Sequence, residues 1–203
     1  MGTSAGSGMR GVVVAALLLA LPGSLKAQAG PSSADAEGRV RSTAAFLVKG
    51  STIADQGRAQ IGAWAGLVFG GRFAVGGGGV VLLEEVPLEG SEAGTGFSLD
   101  LGYGGLFFRF WEPLSERVTG ELGLILGAGN GEVNDQPSGA ELGSDNFVVA
   151  EPEVSLFFTL LPWLHVGASG GYRMVWGVED LPQVSEDDLR AATGTISLRL
   201  GGR

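Results

Sequence analysis

The sequence has no cysteine and a single histidine, His165. Without thiols there is no disulfide staple, no lipid-anchored cysteine behind a leader and no thiol nucleophile. A lone imidazole leaves a zinc site or a Ser–His–Asp triad without its partners, so His165, beside the Pro162–Trp163 turn, reads as structural. Basic residues are also scarce, with 13 Lys and Arg against 22 Asp and Glu. Nucleic acid is excluded as a partner, because phosphate binding needs a basic surface. The N-terminal apolar run "GVVVAALLLALPGSL" is shorter than the ~20 residues of a spanning helix and is broken by Pro22 and Gly23.

That run follows Arg10 and leads to Lys26 and the small-x-small stretch Ala27–Ala29. This order predicts a secretory signal peptide, residues 1–29, cut after Ala29. Residues 30–41 read as a disordered leader and residues 42–203 as the folded domain. The chain is 44% hydrophobic yet carries a net charge of −9, so its charges must be segregated from its apolar parts.

Glycine is abundant, 37 of 203 residues. Apolar segments at 42–49, 59–69, 72–86, 96–110, 117–130, 146–160, 164–176 and 192–200 are separated by breaks that alternate long and short. Eight strands joined up-and-down would put the long loops at one end and the short turns and both termini at the other. Within the segments the period is two. Leu164, Val166, Ala168, Tyr172, Met174 and Trp176 oppose His165, Ser169, Gly171 and Arg173. Ile196, Leu198 and Leu200 oppose Thr195, Ser197 and Arg199.

A water-facing sheet surface would be rich in Lys, Glu, Thr and Ser. Here the second face is mostly glycine with a few charges of both signs, which suits the inside of a narrow barrel whose apolar face points to lipid. Phe69, Phe73, Phe110, Trp111, Phe147, Trp163 and Trp176 gather near segment ends, as interfacial girdles do. The run Gly76–Gly79 is then strand, not linker. No Lys, Ser or Thr follows it as a phosphate loop requires. Gly76 and Gly78 are expected to face the lumen near Trp64, and Gly77 and Gly79 the lipid.

The stretch "DNFVVAEPEVSLFFTLLPWLHVGASGGYRMVWGVEDL" resembles the small bacterial outer-membrane β-barrel proteins, of the OmpA/OmpX-like eight-stranded type. In particular it resembles a subgroup with a similar F-V-x-E-P-E strand, which reads F-V-V-A-E-P-E here at Phe147–Glu153, a turn and a G-G-Y-R strand. The likeness spans about residues 58–200. It implies an all-β, eight-stranded, antiparallel, up-and-down transmembrane barrel in the outer membrane, and it brings no catalytic residues. The lipid bilayer and the barrel-assembly machinery are the implied partners. Many such barrels end on an aromatic residue, whereas here Leu200 is followed by Gly201, Gly202 and Arg203.

Glu121, Glu151, Glu153, Arg173 and Arg199, joined by Asp100, are expected inside the barrel as a charge network. Buried charges are tolerated only when paired, so the network would plug the lumen and fix register; a gated pore or proton path is the functional alternative. Glu151 and Glu153 lack the intervening cleft a glycosidase pair needs. The long breaks are acidic, including Glu89, Glu92, Glu179, Asp180, Glu186, Asp187 and Asp188. They are candidates for binding a cation or a basic partner, although no calcium-loop spacing is present. "SEDDLRAA" is expected to open a short helix capped by Ser185. The expectation is a monomeric barrel without catalysis, cofactor or metal, with a structural or adhesive role. The rivals are a soluble lipocalin-like barrel for an apolar ligand and a narrow pore.

Overall fold

Alternating apolar and small residues can satisfy the backbone only by pairing with neighbours on both sides, and the chain does so in a ring. The computed structural model describes residues 40–88, 96–135 and 138–201. The predicted signal peptide, the leader up to residue 39, and Glu89 and Glu92 lie outside the described residues. The strands are β1 (Arg41–Ile53), β2 (Gln56–Phe69), β3 (Phe73–Leu82), β4 (Val86–Pro87), β5 (Phe97–Pro113), β6 (Val118–Asp135), β7 (Glu141–Leu161), β8 (Leu164–Trp176) and β9 (Ala191–Leu200). One short helix, α1 (Glu186–Leu189), precedes β9.

All pairings are antiparallel. β9 returns to β1, and β3 pairs directly with β5, so eight long strands close on themselves. β4 resumes the line of β3 after a break, resting on Leu99 and Ser98. The architecture is the all-β, eight-stranded, up-and-down barrel that the segment pattern predicts.

Turns 70–72, 114–117 and 162–163 lie at one end, with residue 41 and Leu200. Turn 54–55, the described residues 83–88 and 138–140, and segment 177–190 lie at the other. Two expected long breaks are mostly strand. The first, 50–57, is a two-residue turn at Ala54 (φ 46°) and Asp55 (φ 61°), the left-handed pair that a tight hairpin requires. The second, 131–145, is consumed as β6 runs to Asp135 and β7 starts at Glu141. Ladder hydrogen bonds need no apolar side chains, so pairing continues after the apolar alternation stops.

The alternation sorts as the inverted pattern predicts. Phe46, Val48, Ile61, Leu67, Leu106, Leu122, Val148, Val154, Leu156, Phe158, Tyr172, Ile196 and Leu198 point outward and are exposed. Lys49, Gln60, Trp64, Tyr103, Arg109, Glu121, Glu151, Glu153, Arg173 and Arg199 point inward and are buried. Among the expected girdle residues, Phe69, Phe73 and Phe110 are exposed and sit side by side in register at the short-turn end. Trp111 and Phe147 correct that expectation: their places in the alternation turn them into the lumen, where both are buried.

Glycine makes room for these inward groups. Phe147 lies against its register partner Gly129, Phe157 against Gly167, and Arg109 against Gly123. A Cβ on any of the three would overlap the facing side chain. The run Gly76–Gly79 is strand throughout. Gly78 pairs with Trp64, and a Cβ on Gly76 or Gly78 would meet the backbone of β2.

The interior has two halves. Toward the long-loop end it is an apolar core of Ile53, Leu99, Leu101, Ile125, Val133, Val149 and Val175, closed above by Leu88, Leu181, Val184 and Leu189. Toward the short-turn end it is charged.

Candidate functional site

The lumen charges arise from strand parity: a charge between two outward apolar residues must point inward. Lys49 of β1 donates to Glu151 Oε1 at 2.6 Å and lies 3.2 Å from Glu153 Oε1. Arg109 of β5 reaches Glu153 Oε2 at 2.5 Å and Glu121 Oε1 at 3.7 Å. Arg199 of β9 pairs with the second oxygen of Glu121. Tyr103 donates its hydroxyl to Glu151 Oε2 at 2.7 Å, and Thr193 donates to Glu151 Oε1 at 2.7 Å. The guanidinium of Arg199 stacks over Phe157 at 3.9 Å and that of Arg109 lies 5.6 Å from the Trp64 ring.

Three carboxylates thus meet three cations in a continuous ladder. Wall hydrogen bonds link only adjacent strands, whereas the ladder ties β1, β5, β6, β7 and β9 across the lumen.

Of the residues the sequence nominates, Glu121, Glu151, Glu153 and Arg199 come together. Arg173 does not join them. It lies at the loop end, donating to the carbonyls of Leu189 (2.6 Å) and Thr52 (3.2 Å) and to the Ser51 hydroxyl (3.3 Å). Asp100 is exposed on the outer side of β5, where its carboxylate accepts from the Leu101 N–H, which corrects its assignment to the lumen. Lys49, Tyr103 and Arg109 were not nominated. The available signal was parity: Lys49 alternates with Phe46 and Val48, and Arg109 stands between Phe108 and Phe110. His165 is buried at the short-turn end, 3.1 Å from the Thr159 hydroxyl.

The acidic loop residues are held apart by local structure. The Asp145 carboxylate accepts the backbone N–H groups of Glu179 (2.7 Å) and Asp180 (2.9 Å). Glu186 and Asp187 both pair with Arg190. Asp188 accepts from the N–H and hydroxyl of Ser185 at the start of α1. Among the described residues no group of three or more His, Cys, Asp or Glu side chains is placed to hold a metal ion.

Asp145 stands beyond Val148 and Trp176, the last rung shared by β7 and β8. The N–H groups of Asp180 and Glu179 hold its carboxyl below the ordinary 3.8. A lowered folded value makes this contribution complete at neutral pH and lost as the pH falls below 3.8 and through the folded value. In an NMR titration the Glu179 and Asp180 amide shifts should therefore move below pH 3.8, and Asp145→Ala should abolish that step. Amides that titrate at or above the ordinary value would contradict the assignment.

No family model and no curated protein matches the chain. Solved structures do. Neisserial surface protein A superposes with a TM-score of 0.56 at 12% identity, covering 79% of this chain and 96% of that one. The N-terminal β-barrel domain of Pseudomonas aeruginosa OprF superposes with a TM-score of 0.51 at 9% identity, covering 80% and 99%. The fold is that of a small outer-membrane barrel. At these identities the likeness establishes architecture alone. In an outer-membrane barrel the apolar face is the outer one and charged groups belong inside, which is how the exposed apolar residues and the buried ladder are arranged here.

Proposed function

We propose that the chain is an exported, monomeric, integral outer-membrane barrel that does not conduct and does not catalyse, and that it works through its acidic loop face in adhesion or binding. The observation that carries the membrane reading is the apolar outer face. Val154 is 62% exposed, and Leu122, Leu160 and Ile196 are 59% exposed. Outward apolar residues of this kind occur on every long strand. A monomeric soluble protein rarely exposes a continuous apolar patch of more than a few hundred Å². A soluble ligand carrier needs the opposite exterior, so this belt argues against the lipocalin-like alternative.

The loop end supports the binding half of the proposal. Glu141, Glu179, Asp180 and Asp187 are exposed there, and they favour a basic or cationic partner. The signal peptide 1–29 would deliver the chain, and the barrel-assembly machinery would insert it. No imidazole–hydroxyl–carboxylate arrangement faces a cleft among the described residues, since His165 is buried at the opposite end. Against a pore, Trp64, Tyr103, Phe107, Phe147 and the ladder fill the lumen.

Cell fractionation with gel migration before and after heating tests the proposal. The protein should partition with outer membranes, require detergent and migrate differently when unheated. Recovery in the soluble fraction without detergent would sink it. In planar bilayers the purified barrel should show no discrete conductance steps; regular steps would overturn the non-conducting part.

A further inference from the structure

Arg173 is a lumen cation that the ladder does not use. The ladder balances three carboxylates with Lys49, Arg109 and Arg199. Among the described residues Arg173 has no carboxylate within ion-pair distance, yet it is fully buried. A buried guanidinium is costly unless its donors are satisfied. Its acceptors are Leu189 O of α1, and Thr52 O and Ser51 Oγ at the rim of β1. The shortest of these bonds, 2.6 Å, goes to the loop.

The loop that supplies Leu189 also places Leu181, Val184 and Leu189 in the apolar core with Leu99, Val133 and Val175. Its other ties lie at the rim, and two of them are the bonds from the Glu179 and Asp180 N–H groups to the Asp145 carboxylate of β7. Ala54 N–H donates to Asp188 O at 2.9 Å, and Arg190 Nε donates to Val175 O at 3.0 Å. Below this core the ladder and the rings of Trp111 and Phe157 occupy the short-turn half.

We propose that segment 177–190 is a stopper seated on Arg173, and that lifting it opens a blind apolar well on the loop side of the lumen while the ladder keeps the other end shut. The stopper is one continuous segment between β8 and β9 that contains the capped helical turn α1. The guanidinium keeps its two β1 acceptors when the stopper lifts, and water replaces Leu189 O. The well and the ladder are therefore separable, and opening one does not make a channel.

The absence of cysteine permits a clean test in detergent micelles, which does not depend on the membrane reading. A single cysteine at Leu99→Cys reports the well, and one at Thr119→Cys reports the short-turn half; both native residues are fully buried. With a bulky charged maleimide, both should be protected when Arg173 is present. In an Arg173→Met background Leu99→Cys should label about ten- to hundredfold faster, the span that loss of a hydrogen bond from a charged donor gives an opening equilibrium. Thr119→Cys should remain protected, and bilayers should still show no conductance steps.

Equal labelling of Leu99→Cys in both backgrounds would overturn the role of Arg173. Labelling of both sites would mean general loosening and overturn the stopper, and discrete channels would overturn the blind well. If Arg173→Met does not fold, Arg173→Lys, which keeps the charge but loses the forked donors, is read in its place by the same criteria.

Discussion

Glu153→Ala should destabilise the barrel by about 3 kcal/mol, while Glu153→Met combined with Arg109→Met should cost markedly less. Glu153 is the rung between two cations, with Arg109 at 2.5 Å and Lys49 at 3.2 Å. Its loss leaves Lys49 with Glu151 and the Tyr103 hydroxyl, and Arg109 with Glu121 at 3.7 Å, a carboxylate already paired with Arg199, so that three cations face two carboxylates. Breaking one side of a buried pair is expensive because the abandoned charge stays buried. Removing Arg109 as well restores balance, with Lys49 on Glu151 and Arg199 on Glu121. Urea unfolding in micelles, followed by the unheated gel band, measures both. A double variant as unstable as the single one would show that the ladder's value lies in packing and not in charge balance.

Gly76→Val should prevent the native barrel from forming, and Gly50→Val should leave it intact. Both put a β-branched residue, ordinarily favourable in strands, on a strand of the same wall. At Gly76 the new Cβ would overlap the carbonyl of Ala65 and the Cα of Gly66, backbone atoms of β2 that no rotamer change can move. Overpacking against backbone belongs at the top of the usual range, about 3 kcal/mol or more. At Gly50 an added Cβ meets nothing within 4 Å, and the change should fall within about 0.5 kcal/mol. The proportion of the unheated band after refolding reads the difference. Normal folding of Gly76→Val would show that the close approach of β2 and β3 is not required.

The fold was legible because two independent signals agreed. Strict alternation in β8 and β9 gave the faces, and the order of breaks gave the up-and-down connection. What the polar breaks concealed was strand length. Gly131 to Asn134 and Glu141 to Asp145 are polar enough to read as loop, but the β6–β7 ladder continues through them.

The ladder was legible only in part, and the reason lies in the strands that hid the rest. β6 and β7 set charge against grease, so Glu121, Glu151 and Glu153 declared their face. In β1 and β5 both faces are apolar. Leu47 points inward and Val48 outward, and Phe107 is buried while Phe110 is exposed. There the contrast that reveals a face is weak, and it does not single out Lys49 or Arg109. Arg173 showed the correct face, but its height along the barrel was not readable. Partners along the axis depend on register between strands distant in sequence, and β8 carries Arg173 up to the rim with Leu189 instead of down to the ladder.

The central claim, an inside-out barrel in lipid, is tested most directly by spin-label scanning of single cysteines from residue 153 to 158 of β7 in reconstituted bilayers. The account predicts a period of two. Labels replacing Val154, Leu156 and Phe158, which are exposed, should relax strongly with lipid-soluble oxygen and weakly with a water-soluble agent. Labels replacing Glu153, Ser155 and Phe157, which are buried, should be immobile and shielded from oxygen. Strong relaxation of the first set by the water-soluble agent, or no alternation at all, would contradict it.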